Sequence, residues 1–149
     1  MDELITRKDI TYEVLSTVTP GVVKDIDALL PQMSEEPPTM TAEYIQRIIE
    51  SGTQMLVARS GDRIVGIACL VVAVHPRRIK GWVEDVIVDE SFRGQGIAQE
   101  LMRKIINMAR ERDCDNLNLT SKPRRASAHS VYESFGFQKR DVNVYRLSL

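Results

Sequence analysis

Residues 86–98 read VIVDESFRGQGIA, and their order of residue types decides the fold. Val86, Ile87 and Val88 are β-branched and apolar, as a strand entering a sheet requires. Asp89 to Gly96 is a short turn carrying two glycines. Ile97 then opens an apolar stripe that continues through Leu101, Ile105, Met108 and Ala109 at helical spacing. A strand therefore passes through a tight turn into a long helix. The first amides of such a helix have no internal partner, and the helix dipole adds partial positive charge there. Gly94 and Gly96 lack a Cβ, so a phosphate can approach the backbone closely. Arg93 adds a full charge and forked donors suited to phosphate oxygens. The glycine spacing is too short for a Walker loop, no Lys-Ser/Thr pair follows, and the turn is not GxGxxG. On its own it serves equally as an anion cradle or as a glycine turn beside an exposed arginine.

Before this turn the chain reads as a strand over Ile10 to Thr19, stopped by Pro20-Gly21. A helix follows with Val22, Ile26, Leu29 and Leu30 on one stripe, ended by Pro31. Residues 31–40 form a proline-rich loop suited to substrate recognition. Thr41 opens a second helix, closed by Gly52. Met55 to Ala58 and Ile64 to Val74 are β-rich runs joined by Ser60-Gly61-Asp62. The second run is apolar nearly throughout, as expected of a strand buried on both faces. A basic loop, His75 to Lys80, leads to a strand over Trp82 to Val88. After the long helix, Asn116 to Ser121 alternates like a strand. Ala128, Val131, Tyr132 and Phe135 mark a last helix ended by Gly136. Phe137 to Arg140 and Val142 to Leu149 read as two final strands. The order is β-α-α-β-β-β-α-β-α-β-β, a mixed sheet with helices packed on it.

The 149 residues suit a single domain, 1–149, with one hydrophobic core. A net charge of −1 lacks the basic excess of a general nucleic-acid binder, so no nucleic-acid partner is expected. No apolar run approaches the ~20 residues of a membrane span, and Met1 to Ile10 has no signal-peptide core. A cytoplasmic protein with no membrane partner is the expectation. Cys69 and Cys114 are far apart and fit reduced thiols. His75 and His129 have no metal-ligand spacing, so no metal is expected.

Two further features turn the anion cradle into a specific reading. Arg93-Gly94-Gln95-Gly96-Ile97-Ala98 matches Arg/Gln-x-x-Gly-x-Gly/Ala at its fixed positions, and Ala128, Tyr132, Gly136 and Phe137 match Ala-x-x-x-Tyr-x-x-x-Gly-Phe. With these motifs and this element order, the chain resembles the GCN5-related N-acetyltransferase (GNAT) superfamily along essentially its whole length. The resemblance implies the acyl-CoA N-acyltransferase fold. That fold is α+β (mixed α/β), with a central mixed, mostly antiparallel sheet of six to seven strands flanked by helices. It implies acetyl-CoA as co-substrate, with the amides of Gln95, Gly96, Ile97 and Ala98 holding the pyrophosphate and Arg93 alongside. It implies that the backbone of Ile87 and Val88 pairs with the pantetheine arm like an added strand, and that Tyr132 lies near the thioester sulfur. Many members carry Asn three residues before the motif alanine. Here that position is Arg125, which can instead meet a phosphate of CoA.

Acetyl transfer needs a neutral amine, yet a lysine-like amine has a pKa near ~10.4 and is mostly protonated at neutral pH. A base must take that proton, directly or through water. Glu84 and Asp85 are two carboxylates inside an apolar strand, where a carboxylate needs a partner or a function. Adjacent strand residues point to opposite faces, so only one should face the cleft unless a bulge intervenes, as it often does in this family. Glu84, in phase with Val86 and Val88, takes the lead; Asp85 and water stay open. Tyr132 suits a proton donor to the departing thiolate, and it also lies on the apolar stripe of its helix. Cys69, in a buried strand, reads as core rather than nucleophile. The expected activity is direct transfer of acetyl from acetyl-CoA to a primary amine of a small molecule, through a ternary complex. A non-catalytic acyl-CoA sensor and an enzyme acting on a protein N-terminus or lysine are the rival readings. The tail Asp141 to Tyr145 offers either a substrate-selecting or a homodimer-forming segment, and the residues leave both open. Val83-Glu84-Asp85-Val86 also resembles the corresponding strand of glucosamine-phosphate acetyltransferases, a short echo.

Overall fold

Short local signals start each of the first two helices. The Thr19 side chain accepts from the Val22 amide and Pro20 takes the first position of α1 (Pro20–Leu29), where a missing N–H does no harm. Thr41 accepts from Tyr44 at the start of α2 (Ala42–Glu50) in the same way. The computed structural model describes residues 9–122 and 126–149. They divide into one unit that runs to Leu119 and a second, Thr120–Leu149.

In the first unit the strands are β1 (Ile10–Val14), β2 (Gln54–Ser60), β3 (Arg63–Val74), β4 (Ile79–Val88) and β5 (Asn116–Asn118), with α3 (Ile97–Glu111) between the last two. They form one sheet in the order β1-β2-β3-β4-β5. The first three pairings are antiparallel and β4–β5 is parallel. Helices cover both faces. Val22, Ile26 and Leu29 of α1 and Ile45 of α2 join Met55, Val57, Ile67 and Ile87 in one buried cluster. On the opposite face Ile97 and Leu101 of α3 lie over Gly66, and Leu101 and Ile105 are wholly buried. Each such side chain contributes about 1.5–3 kcal/mol by leaving water. β3, packed from both sides, is buried without interruption from Ile64 to Leu70, as its apolar run requires.

The second unit contains α4 (Ala126–Ser134). Its end is closed by the amides of Phe135 and Phe137, which both donate to the Tyr132 carbonyl at 3.1 Å, while Gly136 takes a φ of +96°.

The mixed, helix-flanked architecture is as expected, but the sheet has five strands among the described residues rather than six or seven. Phe137 to Arg140 and Val142 to Leu149 join no ladder there. Val142, Val144, Leu147 and Leu149 are exposed. β-prone residues mark a segment able to form a strand, but a strand also needs a hydrogen-bonding neighbour, which residue type does not supply. Boundaries moved for similar reasons. β1 ends at Val14 rather than Thr19, β5 at Asn118 rather than Ser121, and β4 starts inside the basic loop, at Ile79.

Candidate functional site

The turn before α3 has the features that an anion site needs. Gly94 and Gly96 have φ of +78° and +79°, a left-handed conformation that glycine adopts without strain. Gly96 is the N-cap of α3 and no side chain caps that end. The Glu100 amide donates to the Gly96 carbonyl at 3.0 Å, so the amides of Ile97, Ala98 and Gln99 precede the first helical bond and are left for an outside acceptor. A cleft of about 600 Å³ opens on them, lined by Val88 and residues 92–98 and extended by Tyr12, Arg103 and Lys104. A Cβ added at Gly94 would meet nothing within 4 Å, so this part of the cradle is open space. Uncapped amides, an arginine and an open approach fit a diphosphate.

Arg93 is exposed but held. Its Nε donates to the Val88 carbonyl at 3.4 Å and its Nη2 to Gln32 Oε1 at 3.3 Å. Asp89, at the head of the turn, accepts from the Ser91 hydroxyl and amide and pairs with Arg63. The Ser91 hydroxyl, then its amide and the guanidinium groups of Arg63 and Arg93, hold the Asp89 carboxyl below the usual carboxylate range.

Earlier in β4 the strand is interrupted. Ile67 faces Ile87 and Cys69 faces Glu84, so Ala68 alone opposes Asp85 and Val86. This is a β-bulge. Asp85 takes a φ of +52°, which costs a residue with a side chain about 1–2 kcal/mol. Glu84 and Asp85 are both exposed, instead of alternating. Simple alternation put Glu84 in phase with Val86 and Val88. The bulge instead sets it opposite Cys69, on the face of Ile67 and Ile87, because directly opposed residues share a face. Although the residue as a whole is exposed, desolvation of its carboxyl against the strand, then the neighbouring Asp85 charge, pushes the Glu84 carboxyl up. Burial, then Asp85 and Glu84, pushes the Cys69 thiol up to about 12. Cys69 therefore stays protonated near neutral pH and is a poor nucleophile.

β4 and β5 pair only over Lys80–Trp82 and Asn116–Asn118. At Gly81 the two strands come so close that a Cβ would lie 2.9 Å from Leu117 Cδ1. Asn118 Nδ2 donates to the Gly81 carbonyl at 3.1 Å and closes the ladder. From Val83 onward β4 has no ladder with β5. Ile87 and Val88 lie in that stretch and pair on their other side with Ile67 and Gly66.

The expected cradle residues Arg93, Gly94, Gln95, Gly96, Ile97 and Ala98 thus line one cleft with Val88. Glu84 and Asp85 stand together at the bulge. Tyr132 belongs to the second unit, half-buried on α4, its ring edge-on to Phe137 with centroids 6.2 Å apart. Arg125 lies outside the described residues. Gln32 was not anticipated: it sits in the proline-rich loop, 61 residues from Arg93, with no pattern to flag it. Asp89 had a signal, an acid two residues before a serine at a turn, which is a capping pattern.

The sequence model of the acetyltransferase (GNAT) family matches residues 23–137. The chain is 29% identical over 92 residues to N-alpha-acetyltransferase 30 of Saccharomyces cerevisiae, a match covering 58% of this chain and 52% of that protein. It is 29% identical over 129 residues to glucosamine 6-phosphate N-acetyltransferase of Trypanosoma brucei brucei, covering 81% and 85%. A crystal structure of a Trypanosoma brucei acetyltransferase superposes with a TM-score of 0.79 at 26% identity, over 95% of this chain and 100% of that one. The matches to the N-alpha-acetyltransferase 30 proteins span about half of the yeast relative and 26% of the human one.

Proposed function

The chain belongs to the acetyltransferase (GNAT) family, and from that premise we propose that it transfers acetyl from acetyl-CoA to a primary amine in one direct step. The observation that carries this reading is the uncapped N-terminus of α3 behind the left-handed Gly94–Gly96 turn, with Arg93 beside it. The amides of Gln95 to Ala98 and the Arg93 guanidinium bind the diphosphate. The stretch of β4 past Trp82, which makes no ladder with β5 and includes Ile87 and Val88, receives the pantetheine arm as an added strand.

Acetyl-CoA supplies an activated acyl group and a thiol leaving group. Glu84 takes the proton of the incoming ammonium, directly or through a water, and its raised pKa makes it a stronger base than an ordinary carboxylate. The freed nitrogen lone pair forms the C–N bond as the C–S bond breaks, and the nitrogen then releases its second proton to solvent to leave the neutral amide. The Tyr132 hydroxyl gives a proton to the departing sulfur and regains one from solvent. Asp85 keeps the base poised by its charge. Cys69 takes no part, since its thiol is buried and protonated, so no acyl-cysteine stage is needed.

The acceptor is a small-molecule amine. A peptide N-terminus is the second reading, favoured by the likeness to N-alpha-acetyltransferase 30. The test is a panel of amino sugars and their phosphates, polyamines, amino acids and peptides with free N-termini, each incubated with acetyl-CoA while free thiol is followed. Turnover on a small amine is expected. Turnover confined to peptides replaces the acceptor, and tight acetyl-CoA binding with no turnover on the panel replaces the enzyme by an acyl-CoA sensor.

A further inference from the structure

We infer that Gln32 is a positioning residue for the diphosphate site: its neutral side-chain carbonyl fixes the Arg93 guanidinium without spending the charge. Gln32 ends a 3-10 turn, Leu30–Gln32, that continues α1. Its Oε1 accepts from two donors of the anion turn, the Glu90 amide at 3.0 Å and Arg93 Nη2 at 3.3 Å. Arg93 Nε meanwhile donates to the Val88 carbonyl at 3.4 Å. Both acceptors are uncharged. A guanidinium has five N–H donors, and these two contacts occupy two of them, so others remain for phosphate oxygens.

The choice of an amide is informative. A carboxylate at position 32 would hold the same two donors but pair with Arg93 as an ion and repel a diphosphate. The nearby acid, Asp89, is already engaged by Arg63 and Ser91. An exposed arginine otherwise loses side-chain entropy when it orders around a ligand. A prearranged one loses less on binding, which is how a residue that never touches the ligand raises affinity. The proline-rich loop that holds Gln32 near its start is pinned at its far end too, where the buried Met40 donates its amide to Asp27 Oδ1 at 2.9 Å. Its first residues thereby serve the cofactor end of the site.

This inference rests on Arg93 binding the diphosphate, and the test separates the two. Acetyl-CoA and acetyl-pantetheine, which lacks the diphosphate, are compared as substrates and as ligands for the full chain. Arg93→Ala should weaken acetyl-CoA and leave acetyl-pantetheine unchanged; if it weakens neither, the reading of the cradle itself fails. Gln32→Ala should weaken acetyl-CoA about fivefold, the value of one ordinary hydrogen bond, again sparing acetyl-pantetheine. Gln32→Glu keeps the acceptor for Glu90, and so the local fold, yet should weaken acetyl-CoA at least as much. In the Arg93→Ala background Gln32→Ala should have no further effect on acetyl-CoA. Equal losses for both thioesters, full acetyl-CoA affinity in Gln32→Glu, or an undiminished Gln32→Ala effect without Arg93 would each overturn the role assigned to Gln32.

Discussion

The second half of β4 and the turn that follows contain two departures from regular backbone, and they are made in opposite ways. At Gly94 and Gly96 the left-handed conformation is taken by glycines, at little cost, and the gain is a set of open amides. At Asp85 the same region is taken by a residue with a side chain, at φ +52°, beside a second carboxylate. The first suits binding, the role proposed for it. The second holds strain that the surrounding sheet must offset, and such strain concentrates where chemistry is done. The difference separates binding from reaction: the turn should govern cofactor affinity and the bulge should govern rate.

The largest effect should come from the turn. Gly96→Val puts a β-branched residue at φ +79° and methyl groups among the free amides. Acetyl-CoA affinity should fall at least about a hundredfold, since two or more charge-assisted hydrogen bonds are lost. Calorimetry measures it, and near-normal affinity would remove the turn from the binding site. Next is Glu84→Gln, expected to lower kcat about a hundredfold with acetyl-CoA affinity kept. In the parent enzyme the rate should rise with pH through a value above the ordinary carboxylate range, and that rise should vanish in the variant. An unaltered profile would pass the base role to Asp85 or water.

Smaller effects test the strain. Asp85→Gly should raise the urea midpoint, worth up to about 1 kcal/mol, because left-handed backbone no longer carries a side chain. A lower midpoint would mean that Asp85 is held by favourable contacts instead. Smallest is a stability change with pH. The folded Glu84 carboxyl titrates above its unfolded one, so between the two values the native state holds more protons. The stability contributed by Glu84 therefore falls as pH rises from about 4.3 through its raised value. Glu84→Gln should gain stability relative to the parent over that interval, and urea titrations at several pH values would detect it.

The same contrast explains what could be read from the chain. Gly94 and Gly96 punctuate a strand–helix junction, and the apolar stripe from Ile97 fixes where the helix begins, so the open turn was legible from local chemistry. The buried β3 was legible because Ile64 to Leu70 are apolar without a break. The bulge had no residue-level mark: Asp85 is not a glycine, and its conformation follows from a register shift against β3. The phase assigned to Glu84 failed for that reason. Gln32 was invisible because its partners are distant in sequence and its neighbours are irregular. The last two strands were overcounted because β-prone residue types, as in Val142 to Leu149, do not supply the neighbour that pairing needs.

The amides at the start of α3 provide the most direct test. Hydrogen exchange at Gln95 to Ala98 should slow when coenzyme A is added and stay unchanged with pantetheine, which has no diphosphate to accept from them. Unchanged exchange with both ligands, or equal slowing by both, would contradict the account.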